Sequence, residues 1–309
     1  MSLSKKIVIA TRASKLALWQ AEYVRNNLLL FYPEYSVDLL TIITKGDRFL
    51  DTSLSKIGGK GLFVKEIEKS LLDNVADLAV HSMKDVPADI QNDLEICSIM
   101  HREDPRDAFI SNTCFSMDEL MPGSVIGTSS LRRESQIKNL FPELIVKSLR
   151  GNLDTRLNKL DSGDYDAIIL ASAGLKRIGY NARIKQYIDS DVILPAVAQG
   201  ALGLQIRSDR DDMRALLSVL SCVDTTACVS AERSFLRMLG GSCQFPIAAY
   251  ATLIGNNLLL KGLVASVDGN NIIKSEIFGP VSTAADLGEA LAHDILSKGG
   301  DKILNSLSF

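Results

Sequence analysis

The sequence has few of the residues from which metal sites and disulfide frameworks are built. Its 309 residues include 3 histidines and 5 cysteines. An odd number of cysteines without metal-type spacing disfavours both a disulfide framework and a structural zinc site. We therefore expect no metal, and we expect the chain to reside in the reducing cytoplasm.

Long apolar runs are also missing. No stretch approaches the roughly 20 apolar residues that a membrane-spanning helix needs. The apolar run within residues 6–10 breaks at Thr11 and Arg12, which makes it too short for the core of a signal peptide. We expect no membrane segment and no secretion signal, and we predict that this run is the first β-strand.

Charge is nearly balanced, since 34 basic and 37 acidic residues give a formal net charge of −3. Aromatic residues make up only 6% of the chain. A general nucleic-acid surface usually needs a basic face, often with interleaved aromatic side chains. The composition therefore disfavours nucleic acid as a partner.

Arginines are nevertheless gathered in one stretch, residues 127–156. The arginines and small polar residues of this stretch are Thr128, Ser129, Ser130, Arg132, Arg133, Arg150, Asn152, Thr155 and Arg156. A guanidinium group presents a planar fork of donors that matches a carboxylate or a phosphate. Any one of these arginines could be a solvated surface residue, but the cluster predicts a local anion site.

Two parts of the chain share one plan of strand, helix and strand. In residues 6–43, Ser14 can cap a helix along which Leu16, Trp19, Tyr23 and Leu30 recur at helical spacing. Residues 125–149 repeat the plan, and the strands at 77–82 and 166–172 both end in a serine that is followed by basic residues. The repetition predicts two α/β lobes facing each other across a cleft, with ligand groups at the carboxyl ends of the strands.

The C-terminal third has a different pattern. A helix is predicted over residues 225–239, followed by three β-segments at 247–254, 258–267 and 272–278 that are separated by Gly/Asn turns. A capping-box-like start at Thr283 predicts a final helix that ends at residues 298–300. We expect a small α+β domain with a three-stranded antiparallel sheet.

Residues 45–61 form a long loop with paired glycines. Loops of this length are often functional, so Lys56 and Lys60 could belong to a lid; a plain surface loop is the alternative. The helix that follows should bury one face through Phe63, Ile67 and Leu71.

Two segments carry residues suited to chemistry. In His81–Pro87, the carboxylate of Asp85 could stabilise a cation or shuttle a proton, or it could simply face water. We expect His81 to be structural. Cys243 lies in a loop of small residues, 239–246, where nearby cations would activate its thiol for a covalent role; the other cysteines fit small buried hydrophobes better.

The motifs of this chain, taken in order, resemble those of the porphobilinogen deaminase family. They are IATRASKLALWQ, KGLFVKE, HSMKDVP, DPRDAF, GTSSLRR, LRGNLDTRLNKL, LPAVAQGALGL and GGSCQFPIAAYA, and they run from Ile9 to about Ala251. Three positions depart from the family pattern: Gly240 replaces an acidic residue, Ala198 a glycine, and Gln205 a glutamate. None of them is a residue with a chemical role in the family.

The resemblance implies an enzyme that condenses four porphobilinogen molecules head to tail, releases ammonia at each step and yields a linear tetrapyrrole, hydroxymethylbilane. It implies a dipyrromethane cofactor attached as a thioether to Cys243. The fold it implies is α/β, with two similar doubly wound, periplasmic-binding-protein-like lobes and a small C-terminal domain. We expect lobe 1 to comprise residues 1–100 and 200–219, lobe 2 residues 101–199, and the cofactor-attachment domain residues 220–309.

The resemblance also distributes roles among the polar residues. Those implied to hold the carboxylates of the cofactor are Ser82, Lys84, Thr128, Ser130, Arg132 and Arg133. Those implied to hold the substrate and the growing chain are Arg12, Ser14, Arg150, Asn152, Arg156, Arg177 and Gln199. Asp85 is implied to be the catalytic carboxylate: loss of ammonia leaves an electron-poor azafulvene that becomes cationic on protonation, and Asp85 would stabilise it.

Other functions remain open from the residues alone. A two-lobed solute receptor or effector domain could share the lobes and the anion contacts without chemistry. A cysteine-dependent amidase or transferase could use Cys243 with His81. We expect a monomer that takes porphobilinogen as substrate and hands its product to the next enzyme of the pathway.

Overall fold

The computed structural model describes residues 5–44, 46, 64–241 and 245–307. The strands, in chain order, are β1 (Lys5–Arg12), β2 (Tyr35–Ile42), β3 (Leu78–Ser82), β4 (Leu94–Ile99), β5 (Asp107–Ser111), β6 (Val125–Gly127), β7 (Ile145–Lys147), β8 (Ala167–Ala171), β9 (Gln186–Ile188), β10 (Leu202–Arg207), β11 (Ile247–Ile254), β12 (Asn257–Ala265) and β13 (Ile272–Pro280). The α-helices are α1 (Lys15–Phe31), α2 (Lys65–Leu72), α3 (Leu131–Leu140), α4 (Leu153–Asp161), α5 (Ser172–Arg177), α6 (Asp211–Leu217), α7 (Val223–Met238), α8 (Ala284–Ile295) and α9 (Asp301–Leu307).

Two five-stranded sheets have the same topology. Their strand orders are β2-β1-β3-β10-β4 and β7-β6-β8-β5-β9. In each sheet the first three strands are parallel, and the fourth runs antiparallel to both of its neighbours. The prediction of two similar α/β lobes is therefore confirmed.

The chain divides into two compact units. One contains Met1–Arg102 and Ala201–Thr226, and the other contains Glu103–Gly200 and Ala227–Phe309. Strand β10 thus returns to the sheet of the first unit, while the second sheet and the C-terminal region belong to one unit. Our division of the chain into three domains stays a prediction.

Helix α1 turns a different face to the core than its apolar spacing predicts. Ser14 caps it as expected, its Oγ accepting from the N–H of Ala17 at 3.4 Å. The helix that the spacing predicts is confirmed, but Tyr23 and Leu30 are 41% and 79% exposed, so the recurring apolar residues do not all face the core. The buried positions are Gln20, Ala21, Val24 and Leu28. Small and aliphatic side chains fit closely against the sheet, while Tyr23 stacks on Trp19 at 5.2 Å between ring centroids.

Helix α2 buries the face that its spacing predicts. Ile67 and Leu71 are each 1% exposed and pack with strand residues of the first sheet. Phe63 lies outside the described residues.

The three-stranded sheet of the C-terminal region is confirmed. Its order is β11-β12-β13, and both pairings are antiparallel. The final helix differs from expectation, because the hydroxyl of Thr283 donates to the carbonyl of Pro280 at 3.0 Å and does not cap α8. The helical chain also continues beyond residues 298–300 into α9, since Gly299 absorbs the kink with a φ of 103°.

Within the described ranges, no single helix is both long and apolar enough to cross a membrane; the segments Asp211–Leu220 and Val223–Met238 meet that test only as a pair, which is bent by 110°.

Ala198 offers a test of backbone strain, because its φ of 57° lies in the left-handed region. That conformation costs a non-glycine residue roughly 1–2 kcal/mol. We expect Ala198→Gly to change the free energy of unfolding little, since relief of this strain offsets the lost buried methyl group, about 0.8 kcal/mol, and the greater freedom of glycine when unfolded, about 0.5–1 kcal/mol.

The matched control is Ala292→Gly, at an equally buried position inside α8. It loses both the methyl group and helix propensity, so we expect a loss of about 2 kcal/mol. Urea unfolding of the two variants measures the difference. Equal losses would show that Ala198 is not strained.

Candidate active site

In the first unit, the predicted site residues of β1 and β3 lie at the same edge of the sheet. These two strands are adjacent and parallel, so Arg12 at the end of β1 is near Ser82 at the end of β3. Gln20 of α1 joins the two ends, its side-chain amide donating to Ser82 Oγ at 2.9 Å. Ser14 serves as the N-cap of α1.

Asp85 is exposed at the end of a short 3-10 turn, Met83–Asp85. Met83 fixes this turn: its side chain is 1% exposed, and its N–H donates to the carbonyl of Ala201 at 3.0 Å. Gly203 makes the packing possible, because a Cβ there would lie 2.1 Å from Met83 Sδ. A buried anchor thus presents the Asp85 carboxylate to solvent on a fixed turn, with half-buried Lys84 beside it.

His81 is structural, as expected. It is 6% exposed, and its Nε2 lies 2.9 Å from Gln205 Oε1. The Gln205 amide in turn donates to Glu68 Oε1 at 3.0 Å. Burial lowers the pKa of His81 to about 4, so the imidazole is neutral at neutral pH.

In the second unit, three of the predicted residues converge on a carboxylate that the sequence did not single out. Asp107, the first residue of β5, is 0% exposed. Its Oδ2 accepts from Arg132 Nη2 at 2.8 Å, and its Oδ1 accepts from Arg133 Nη2 at 2.7 Å and from the Gln199 amide at 2.8 Å. The two guanidinium groups hold the pKa of Asp107 far below its usual range, despite its burial. The cluster therefore carries two positive charges and one negative charge.

The arginine cluster of the sequence is divided in the structure. Arg132 and Arg133 are buried, 4% and 6% exposed, whereas Arg150 and Arg156 are half-buried. Arg156 Nε donates to the carbonyl of Gly151 at 2.8 Å.

Most of the other predicted residues of this unit stand at helix starts. Thr128 and Ser130 precede α3, and Thr128 Oγ1 accepts from the N–H of Ser130 at 3.2 Å. Asn152 caps α4, its Oδ1 accepting from the N–H of Thr155 at 2.9 Å. Arg177, at the end of α5, donates to the carbonyl of Gly200 at 2.6 Å.

Glu232 is a second buried carboxylate that sequence reasoning missed. It is 0% exposed in α7; Oε2 accepts from the N–H of Ala198 at 2.5 Å, and Oε1 accepts from the N–H of Ala251 at 2.9 Å. The available signal for Asp107 was an acidic residue directly before three apolar residues of a strand, since such a group must be paired when buried. Glu232 gave no comparable signal, because acidic residues are common in helices.

Three predicted residues, Cys243, Lys56 and Lys60, lie outside the described residues. The described part of the chain contains no group of three or more His, Cys, Asp or Glu side chains arranged to hold a metal ion.

Comparison with known proteins decides the family. Residues 7–215 match the family model of the porphobilinogen deaminase dipyromethane cofactor binding domain, and residues 226–297 match that of the porphobilinogen deaminase C-terminal domain. The chain belongs to the porphobilinogen deaminase family. Among curated relatives, the porphobilinogen deaminase of Bordetella parapertussis is 56% identical over 99% of this chain and 98% of its own length. That of Chromobacterium violaceum is 52% identical over 97% of each chain.

Solved structures give a weaker likeness. The methionine binding protein MetQ is 12% identical with a TM-score of 0.44, covering 69% of this chain and 88% of its own. A periplasmic substrate-binding protein of Coxiella burnetii has the same identity and score, with 69% and 91% covered. Neither likeness bears on ligand or activity.

Membership in the porphobilinogen deaminase family confirms the resemblance seen in the motifs. The chain is a transferase of tetrapyrrole synthesis that acts on porphobilinogen with a dipyrromethane cofactor. The described residues fit such a polycarboxylate: the Asp107 cluster keeps an excess of one positive charge, and within the described part of the chain the buried Nε of Arg133 makes no hydrogen bond. An unmatched donor of this kind suits an anionic ligand.

The low pKa of His81 predicts a pH dependence of stability. Its ordinary value is 6.5, and burial lowers it to about 4 in the folded chain. Between these values the unfolded chain binds the proton and the folded chain does not, so stability is lost as the pH falls. The His81 contribution should decrease by about 2 kcal/mol between pH 7 and pH 5.

Urea unfolding at these two pH values checks the prediction. His81→Gln, whose amide can still donate to Gln205, should lose this part of the dependence, while the control His101→Gln at an exposed position should keep it. Parallel pH profiles for the His81→Gln variant and the parent chain would refute the assignment.

Proposed function

We propose that this chain joins four porphobilinogen molecules head to tail on a dipyrromethane primer attached by a thioether to Cys243, and releases ammonia at each addition. The observation that carries the proposal is the grouping of cationic and hydroxyl side chains at strand ends in each lobe, in a chain of the porphobilinogen deaminase family. Each pyrrole carries an acetate and a propionate, which are the anions that such side chains bind.

The proposed cofactor residues are donors that can pair with carboxylates. Lys84 and Ser82 supply them in the first lobe, and Thr128, Ser130, Arg132 and Arg133 in the second. Thr128 and Ser130 stand where α3 begins, and a helix N-terminus attracts anions. When bound, the cofactor supplies the pyrrole carbon to which the next ring is added.

The proposed substrate residues are Arg12, Ser14, Arg150, Asn152, Arg156 and Arg177. Arginine forks would orient the acetate and propionate of each incoming ring. Ser14 and Asn152 accept backbone hydrogen bonds as caps, yet the Ser14 hydroxyl proton and the Asn152 amide can still donate.

Gln199 receives a different role from the one first expected. It is 1% exposed, and its amide nitrogen donates to Pro105 and Asp107. We propose that it supports the buried arginines, because direct substrate contact would require those hydrogen bonds to be exchanged.

Asp85 is the proposed catalytic carboxylate. Loss of ammonia leaves positive charge on the substrate ring, and a fixed carboxylate stabilises that charge without reorganising at the moment of reaction. The same group can accept and return a proton while the new carbon–carbon bond forms. Its exposure and its fixed turn suit both tasks.

Three further parts of the proposal concern location, assembly and the loop at residues 45–61. We propose a cytoplasmic monomer that passes its product to the next enzyme of the pathway, and a lid that includes Lys56 and Lys60.

Two other functions make different predictions. A solute-binding module without chemistry would bind porphobilinogen without releasing ammonia. A cysteine-dependent amidase would require a free, alkylatable Cys243.

Asp85→Asn tests the chemical step. The amide keeps the size of the side chain but not its negative charge, so we expect ammonia release from porphobilinogen to fall by roughly 100- to 10,000-fold. The urea midpoint and the dipyrrole adduct seen in the intact mass should be unchanged, because the side chain is exposed.

Asp93→Asn is the matched control, since it removes an exposed carboxylate from the same lobe, just before β4, at the sheet edge opposite the carboxyl ends of β1 and β3. It should retain the parent rate. Ammonia release by the Asp85→Asn variant near the parent rate would remove Asp85 from the mechanism.

A further inference from the structure

Arg132 and Arg133 would be poorly placed without Asp107. Both guanidinium groups are buried, and two buried positive charges repel each other strongly where little water screens them. The carboxylate lies between them, within 2.8 Å of one nitrogen of each. It removes one of the two charges and leaves a single excess positive charge for an anionic ligand.

The same cluster fixes the orientation of the two side chains. Arg132 Nη1 donates to the carbonyl of Leu194 at 2.7 Å, and Arg133 Nη1 donates to that of Ile169 at 2.9 Å. Each guanidinium plane is therefore held at two points, one on Asp107 and one on the backbone. The buried Nε of Arg133, which has no hydrogen-bond partner in the described residues, is left as a directed donor.

A continuous set of contacts leads from this cluster to the elements that flank residues 242–244 in the chain. Gln199 donates to Asp107, and the preceding residue, Ala198, donates its N–H to Glu232 of α7. The other oxygen of Glu232 accepts from Ala251 in β11. Helix α7 ends shortly before Cys243, and β11 begins shortly after it.

We propose that Asp107 is a positioning residue for the cofactor: it holds Arg132 and Arg133 in the orientation and net charge that bind the cofactor's carboxylates. Through Gln199 and Glu232 the arginine pair is joined to the two elements that carry the Cys243 loop. The proposal rests on the proposed function, because it takes the arginine pair as the cofactor's anchor.

Asp107→Asn tests the proposal, since it keeps the side chain's shape and removes its charge. We expect the purified variant to unfold cooperatively in urea yet to carry the dipyrrole adduct, read from the intact mass, at less than a tenth of the parent's fraction. Incubation with porphobilinogen should restore the adduct slowly or not at all. A folded Asp107→Asn protein with the parent's adduct fraction would overturn the proposal.

The matched control is Asp161→Asn, which removes an exposed carboxylate that pairs with Arg183 in the same unit. It should carry the full adduct. If Asp107→Asn does not fold, the double variant Asp107→Asn, Arg132→Gln restores a single buried positive charge; we expect it to fold and to carry less adduct than Arg132→Gln alone, because Arg133 has lost its carboxylate. A double variant that fails to fold, or that carries as much adduct as Arg132→Gln, would make Asp107 purely structural.

The adduct on the parent chain distinguishes failure of the Asp107 proposal from failure of the proposed function. If the parent and Asp161→Asn carry the adduct, the proposed function stands whatever Asp107→Asn shows. If the parent carries no adduct and gains none from porphobilinogen, the proposed function itself fails.

Discussion

The buried carboxylate of Asp107 is the constraint on which the second lobe's site depends. Two arginines could not be buried side by side without it, because the desolvation of each charge must be offset by a close counter-charge. Its hydrogen bonds connect the start of β5, the first turn of α3 and the segment before β10. Asp107 therefore both joins three elements of this lobe and balances part of the charge of its arginines.

The two lobes hold their charged side chains in place by different contacts. Each places its polar groups at the carboxyl ends of parallel strands, as open α/β sheets generally do. In the first lobe an apolar anchor, Met83, presents the exposed carboxylate of Asp85. In the second lobe an ion cluster holds cations inside the protein. Each lobe therefore fixes its charged side chains by contacts within that lobe.

The fold was largely predictable because its signals are local. The cap at Ser14, the apolar runs and the Gly/Asn turns at 255–257 and 268–270 each specify a nearby stretch of backbone. The face of α1 was not predictable, because Gln20 is buried by its contact with Ser82, 62 residues away. Tertiary contacts of this kind leave no periodic pattern.

The candidate site was predictable in its residue types and not in its arrangement. The motifs identified Arg132 and Arg133, but their partner Asp107 lies about 25 residues earlier in the chain and had no assigned role. Ala198 has a left-handed backbone conformation at a position where the family pattern has glycine, so the substitution places a side chain where glycine is favoured. Gly240, where the family pattern has an acidic residue, also has a left-handed φ, 61°. Gln205 contacts His81 and has no such backbone feature.

The proposed function depends most directly on a dipyrromethane bound covalently to this chain through Cys243. The most direct measurement is the intact mass of the denatured protein, made beside a Cys243→Ser variant. We expect an added mass equal to one dipyrrole in the parent chain and none in the variant. An unmodified parent whose Cys243 is freely alkylated, and which gains no mass from porphobilinogen, would contradict it.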